Sequence, residues 1–243
     1  MHRRPLLLKT QLQHAVTETE IEHRRPNRSF VIREGRFTPA QRKAFDQYWP
    51  DYGIATDKLP ALNLQQYFAV EQPLVLDIGF GAGDSLLSLA KQRPDLNFVG
   101  VEVYRPGIGA VMQRLHQQEI KNVRLINEDV VPLLEDCIAS ASITGLLVWF
   151  PDPWPKKRHH KRRLIRPNFL DQVQRVLGPQ GVLHLASDWQ PYVVDMQEQV
   201  AAYPELKPQT SASHPLAISR PDTRFQQRGL RLGHTLSDLI YRR

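Results

Sequence analysis

The sequence predicts an α/β fold: a doubly wound, mostly parallel sheet with helices on both faces and an N-terminal extension. Three observations predict it. From Pro73 onward, short apolar runs of strand length alternate with segments of helix length, the pattern of repeated βαβ units. The first apolar run ends in a glycine-rich turn, Gly79-Phe80-Gly81-Ala82-Gly83, where a doubly wound sheet opens its ligand crevice. That run is also continuously apolar rather than alternating, as a strand covered on both faces requires.

Taken in order, Leu74–Gly79 is the first strand, and a helix follows the glycine turn from about Asp84 to Lys91. Asn97–Glu102 is the second strand, with a helix over about Gly107–Gln118 behind it. Val123–Asn127 is the third strand and Gly145–Phe150 the fourth. Pro167 suits the first turn of a helix over Asn168–Leu177, which Gly178-Pro179 ends. Gly181–Ala186 is the fifth strand, followed by a helix around Tyr192–Ala202. His234–Tyr241 reads as a last edge strand. These elements make residues 73–243 the main domain. Residues 28–72 form an extension packed on it, with short helical patterns and the aromatic anchors Phe30, Phe37, Phe45, Tyr48 and Trp49. Residues 1–27 are polar, mixed in charge and weakly patterned, so a mobile tail is expected there.

The chain has 243 residues with 41% apolar content, enough for one sizeable core. The longest apolar run, Gly145–Phe150, is of strand length, far short of the roughly 20 residues of a membrane span. Leu6-Leu7-Leu8 is too short for a signal peptide. The single cysteine, Cys137, can form neither an internal disulfide nor a metal cluster. The expectation is a cytoplasmic monomer or homodimer with no membrane partner and no metal. A net charge of +7 points to an anionic partner, nucleic acid first. Much of that charge lies in Lys156–Arg166, which holds seven Lys/Arg, two His and no acid.

The glycine turn reads Asp77-Ile78-Gly79-Phe80-Gly81-Ala82-Gly83. A dinucleotide fingerprint needs a glycine at the sixth position from Gly79, where this chain has Asp84. What remains is Gly79-x-Gly81-x-Gly83 with an acid two residues upstream. That acid would repel a pyrophosphate and attract the ammonium of a methionine moiety. Glu102 closes the second strand, where a carboxylate accepts hydrogen bonds from ribose hydroxyls. Asp129 follows the third strand, within reach of an adenine amino group. Acids on three successive strands beside such a loop suit S-adenosylmethionine as cofactor.

The fourth strand runs into Phe150-Pro151-Asp152-Pro153-Trp154-Pro155-Lys156. Prolines on both sides of Asp152 fix its backbone and aim its side chain. The loop leaves the same sheet edge as the glycine turn, so Asp152 is expected to face the transferring methyl group. Trp154 offers a flat surface for a base to stack on, or else is the buried anchor of a rigid turn. The basic run that follows reads as a phosphate clamp, with a solvated face as the alternative. Ser187-Asp188-Trp189 sets another carboxylate at the same edge, unless it caps the next helix. The polar, basic segment Arg220–Gly229 is unsuited to a core and suits the mouth of the site.

Seven motifs carry a family resemblance. They are Arg28-Ser29-Phe30-Val31, Leu76-Asp77-Ile78-Gly79-Phe80-Gly81, Gly100-Val101-Glu102-Val103, Phe150-Pro151-Asp152-Pro153-Trp154, His159-His160-Lys161-Arg162-Arg163, Ser187-Asp188-Trp189 and Thr223-Arg224-Phe225. On these the sequence resembles the bacterial tRNA (guanine-N7-)-methyltransferase family from about Arg28 to Tyr241. The resemblance implies a seven-stranded, Rossmann-like class I methyltransferase sheet that uses S-adenosylmethionine. It implies that Asp77, Glu102, Asp129 and Asp152 contact the cofactor, along with Gly79, Gly81 and Gly83, and that Asp152 lies nearest the chemistry. It assigns Lys156, Asp188, Thr223, Arg224, Phe225 and Gln226 to the substrate guanosine. It assigns Arg158, His159, His160, Lys161, Arg162 and Arg163 to RNA. The family methylates N7 of the guanosine at position 46 in the variable loop of tRNA.

This chain departs from the family pattern at Gln226, where many members have Glu, and at Arg224, often Lys. A neutral amide cannot offer the two acceptors of a carboxylate to guanine. Two alternatives stay open. One is a methyltransferase for an exocyclic amino group of an RNA base; its Asp/Asn-Pro-Pro-aromatic motif is not matched, because Trp154 follows Pro153 directly. The other is a non-catalytic tRNA-binding subunit with a methyltransferase fold, against which stand the acids at the three strand ends.

Overall fold

The computed structural model describes residues 28–30, 37–56, 62–210, 216, 218–222, 226, 233 and 235–243. The expected mobile tail, residues 1–27, lies outside them. Seven strands form one sheet: β1 (Leu74–Ile78), β2 (Asn97–Val101), β3 (Val123–Ile126), β4 (Ile143–Trp149), β5 (Leu177–Ser187), β6 (Lys207–Gln209) and β7 (Ser237–Arg242). Their order is β3-β2-β1-β4-β5-β7-β6. The first five pair in parallel, and β7 is antiparallel to both neighbours. The strand order reverses between β1 and β4, so the crevice of a doubly wound sheet opens at the carboxyl ends of those two strands.

Six α-helices are described: α1 (Pro39–Tyr52), α2 (Asp84–Gln92), α3 (Arg105–Gln117), α4 (Val130–Cys137), α5 (Pro167–Val176) and α6 (Gln190–Ala201). The core divides between the two sheet faces. Leu76, Val99, Leu146 and Leu183 pack with Leu133, Phe169, Val173 and Met196 of α4–α6. Val75, Phe98, Leu125 and Leu147 pack with Leu86, Leu89, Ile108 and Met112 of α2 and α3. Successive strand residues point to opposite faces, and both faces are covered. This is why the strands read as unbroken apolar runs.

Four departures from the sequence reading have physical causes. The last strand, expected as an edge, lies inside the sheet, because the short and polar β6 pairs along its outer side. Gly178-Pro179, expected to end the helix, lie inside β5 instead: α5 stops at Val176 and the chain passes straight into the strand, pairing Leu177 with Ile143 before the register shifts. Helix α4 was not expected; Asp129 caps it by accepting the Val131 N–H at 3.2 Å, and Pro132 falls in its first turn. Among the described residues the extension holds one α-helix, α1, started by a reciprocal Thr38–Gln41 capping box with Pro39 behind it, and a short 3-10 turn over Leu64–Tyr67.

α1 packs across α3. Phe45 stacks on Trp49 at 4.7 Å, Tyr48 lies 4.8 Å from His116, and the Arg105 guanidinium sits 5.6 Å over Phe45. Gly109 permits this approach, since a Cβ there would lie 2.9 Å from the Gln41 carbonyl oxygen. No helix among the described residues is long and apolar enough to cross a membrane.

Candidate active site

Two pockets flank the glycine loop at the carboxyl ends of β1–β4. One, of about 720 Å³, is lined by Asp77, Gly79–Gly83, Asp84, Ser85, Arg114, Trp149 and Phe150. The other, of about 240 Å³, is lined by Glu102, Asp129, Pro151, Asp152 and Leu164, with Ser29 and Phe30 from the extension. Gly79, Trp149 and Phe150 line both.

The glycine loop owes its shape to backbone conformation. Gly79 and Gly83 have φ +72° and +76°, in the left-handed region that only glycine enters without strain. A Cβ on Gly83 would also meet Val111 at 2.5 Å, whereas one on Gly79 would meet nothing within 4 Å. The space above Gly79 is therefore left for a ligand.

Asp77, next to last in β1, is 2% exposed, and its Oδ2 has no hydrogen-bond partner among the described residues. Burial, reinforced by the charge of Glu102, pushes its pKa up to about 7. A buried carboxylate oxygen without a partner is costly, and a cationic group in the adjoining pocket would relieve that cost. The ammonium of S-adenosylmethionine fits this requirement. Glu102 binds the loop as well as facing the pocket: its Oε2 accepts the Gly81 N–H at 3.1 Å, and its Oε1 accepts those of Val103 and Tyr104 at 2.7 and 3.1 Å. Asp129 lines the same pocket while capping α4.

The loop after β4 is held from several sides. Phe150 and Trp154 have φ +56° and +46°, unusual for bulky residues. The Phe150 N–H donates to the Ala186 carbonyl at 2.8 Å, and the Arg220 guanidinium sits 5.1 Å over its ring. The Trp154 indole N–H donates to the Ser29 carbonyl at 3.1 Å, with Arg162 4.9 Å over the ring and His159 edge-on at 5.8 Å. Trp154 is half-buried. It is thus a loop anchor with a cation over its ring, closer to the rigid-turn reading than to an open stacking platform. Asp152 is exposed on the pocket rim.

The basic run forms a 3-10 turn over Lys157–Arg162. Lys156, Arg158 and Lys161 are exposed, and His159 and Arg162 half-buried. Desolvation, aided by the surrounding cations, lowers the His159 pKa. Two of the residues assigned to RNA are engaged within the protein. Arg163 is only 4% exposed and pairs with Asp195 of α6 at 2.8 Å. His160 turns its ring to Arg163 at 3.1 Å, and its carbonyl accepts from Arg166 at 2.9 Å. A run of like charges does not reveal which cation meets an acid on another element.

Asp188 follows β5 beside the end of β4, half-buried. It does not cap α6: the cap residue is Trp189, whose own N–H donates to the Ser187 hydroxyl at 3.2 Å. Thr223, Arg224 and Phe225 lie outside the described residues. Gln226, 9% exposed, donates to Asp222 at 2.6 Å and accepts from Arg220. Arg220 in turn grips Asp238 of β7 through two bonds of 2.9 Å. The Asp238 carboxylate also receives His184 at 2.8 Å. Burial opposes the charge on Asp238, but the bonds from Arg220 and His184 outweigh it and hold its pKa well below the usual range.

In overall fold, the chain is similar to the aminoglycoside resistance methyltransferase NpmB1, with a TM-score of 0.51 and 16% identity over 76% of this chain and 94% of that one. A family described as "Putative methyltransferase" matches residues 71–239. A tRNA (guanine-N(7)-)-methyltransferase of Nitrosococcus oceani is 44% identical, over 90% of this chain and 92% of the relative. The chain belongs to the tRNA (guanine-N7-)-methyltransferase family. A second member, from Stutzerimonas stutzeri, is 41% identical over 96% of this chain and 99% of its own.

Seen as a member of the tRNA (guanine-N7-)-methyltransferase family, the chain holds several side chains at this site that sequence reasoning left without a role. Arg220 carries Phe150, Gln226 and Asp238 together, yet in the sequence it is one cation among several in a polar segment. Asp195 gathers Arg163 and Arg166; in the sequence it is one of two acids in a helix that α5 and β5 separate from the cationic run. The Gln226 amide uses its carbonyl for a cation and its NH₂ for a carboxylate. A glutamate, with no donor, could not make both bonds.

Proposed function

We propose that the protein transfers a methyl group from S-adenosylmethionine to N7 of guanosine 46 in the variable loop of tRNA. In this reading residues 73–243 are the catalytic domain and residues 28–72 an extension packed on it. The observation that carries the reading is the row of acids at the carboxyl ends of four adjacent parallel strands. Asp77, Glu102, Asp129 and Asp152 line two adjoining pockets there, and Asp77 keeps a buried oxygen unpartnered among the described residues.

When bound, S-adenosylmethionine supplies an electrophilic methyl group on a sulfonium. Asp77 would receive the ammonium, Glu102 the ribose hydroxyls and Asp129 the adenine side, with Gly79, Gly81 and Gly83 allowing close approach. Guanine N7 attacks with a lone pair and has no proton to lose, so no general base is required. With the cofactor bound, its methyl group would pass from sulfur to N7, and positive charge would move from the sulfonium onto the purine. Asp152 stabilises that charge, while Lys156, Asp188 and the segment Thr223–Gln226 hold the base. Arg158, His159, Lys161 and Arg162 meet tRNA phosphates and position the substrate.

The test is incubation with undermodified tRNA and labelled S-adenosylmethionine, followed by nucleoside analysis. Label in N7-methylguanosine is expected. Label in an N-methylated adenosine or cytidine would replace this reading with an amino-group methyltransferase. Cofactor binding without transfer to any base would leave a non-catalytic subunit.

A further inference from the structure

Arg163 is set apart from the other cations of the basic run by where its donors go. Its Nε donates to the Pro153 carbonyl at 2.9 Å, its Nη1 to Asp195 at 2.8 Å, and its Nη2 lies 3.1 Å from the His160 ring nitrogen. Its guanidinium also sits 4.7 Å over the ring of Tyr192. The second oxygen of Asp195 takes Arg166 at 2.9 Å. The Tyr192 hydroxyl accepts the Ile165 N–H at 3.3 Å. Two residues of α6 thus fix the end of the basic run, and Arg163 carries that anchorage to the carbonyl between Asp152 and Trp154.

The loop needs such an anchor. Trp154 has φ +46° and Phe150 φ +56°, conformations that persist in bulky residues only where the surroundings over-determine them. Pro153 has no N–H to bond with, so its carbonyl is the one backbone group through which the loop can be gripped at that residue. A planar guanidinium reaches the carbonyl, the carboxylate and the imidazole from one rigid fork; a lysine ammonium cannot span all three.

We propose that Arg163 is a positioning residue of the methyl-transfer site: acting through the Pro153 carbonyl and Asp195, it holds Asp152 in register with the pockets and does not contact RNA. This rests on the methyltransferase reading above.

The experiment compares wild type with Arg163→Lys and Asp195→Asn, measuring kcat and KM for tRNA, the salt dependence of tRNA binding, and the melting midpoint. Positioning predicts that both variants lose about 10- to 100-fold in kcat per folded molecule. KM and the salt slope should stay near wild type, and Lys should fail to rescue despite keeping the charge. A phosphate contact predicts the reverse for Arg163→Lys: kcat retained, with only small changes in KM. A purely structural role predicts a lowered melting midpoint with kcat per folded molecule unchanged. Either of these last two results overturns the proposal. A wild type that transfers no methyl group would instead overturn the reading on which it rests, so the two failures are distinguishable.

Discussion

The glycine loop after β1 and the proline loop after β4 face each other across one crevice and reach left-handed backbone by opposite means. In the first, Gly79, Gly81 and Gly83 all have positive φ, and no side chain is strained by it. In the second, Phe150 and Trp154 take such angles with full side chains, at a cost on the order of 1–3 kcal/mol each. That cost is offset by contacts from distant parts of the chain: Ser29, Arg163 and Arg220. The cofactor side of the site therefore owes its backbone angles to glycine, with Glu102 and Arg114 holding the loop, whereas the reaction side owes its angles to contacts from distant parts of the chain. A change on the cofactor side should act on ligand binding, whereas one on the reaction side should act on turnover.

The largest effect expected under this division is at Asp152. Asp152→Ala should lower kcat by about 10²- to 10³-fold, with the melting midpoint kept, because the side chain is exposed on the rim. Near-wild-type turnover would remove Asp152 from the chemistry. On the opposite side, Glu102→Ala should weaken the cofactor by about 1.5–3 kcal/mol, or roughly 10- to 150-fold. Binding of tRNA should change little. Glu102 also accepts three backbone N–H groups, so Glu102→Gln, which keeps an acceptor, should lose less. Calorimetry giving an unchanged cofactor constant for Glu102→Ala would break the division.

Replacing Arg158, Lys161 and Arg162 together with Ala should make the salt dependence of tRNA binding shallower. The change should be up to about 0.9 log units per lost contact if duplex values apply, and less for folded RNA. Cofactor affinity should be spared. A salt slope identical to wild type would move the RNA to another face.

The last effect is one of stability rather than of binding or turnover. Folding raises the Asp77 pKa to about 7, from an unfolded value of about 3.9. Between about pH 4 and 7 the folded protein keeps a proton that the unfolded chain has released, so stability falls as pH rises across that range and levels off above it. Asp77→Asn abolishes that loss. It should raise the melting midpoint of the cofactor-free protein at pH 8.5, by about 2–4 °C for each kcal/mol recovered. The gain should shrink steadily toward pH 5, while cofactor binding weakens at every pH. A gain independent of pH would show that the carboxylate carries no such penalty.

What was legible in the sequence follows the same line between local and distant causes. The strands of the parallel half, the glycine turn and the acids beside it announce themselves in consecutive residues, and β1 to β4 lie within a residue or two of where the apolar runs place them. Helix α4 was not legible, because Val130-Val131-Pro132 opens it with β-branched residues and a proline, and its cap, Asp129, doubles as a pocket residue. The interior place of β7 depends on β6, Lys207-Pro208-Gln209, which carries no strand signal. In the site, no local pattern separates Arg163 from Arg162. One is buried against Asp195 and the other lies over Trp154, and only the packing of α6 decides between them.

The most direct test of the account is chemical mapping of the methylated base. Undermodified tRNA is treated with the protein and S-adenosylmethionine, reduced with borohydride and cleaved with aniline, which cuts the chain at N7-methylguanosine. The account predicts one new cut, at guanosine 46 in the variable loop, that is lost with Asp152→Ala. A methylated tRNA that aniline leaves whole, or that is cut at a guanosine elsewhere, would contradict it.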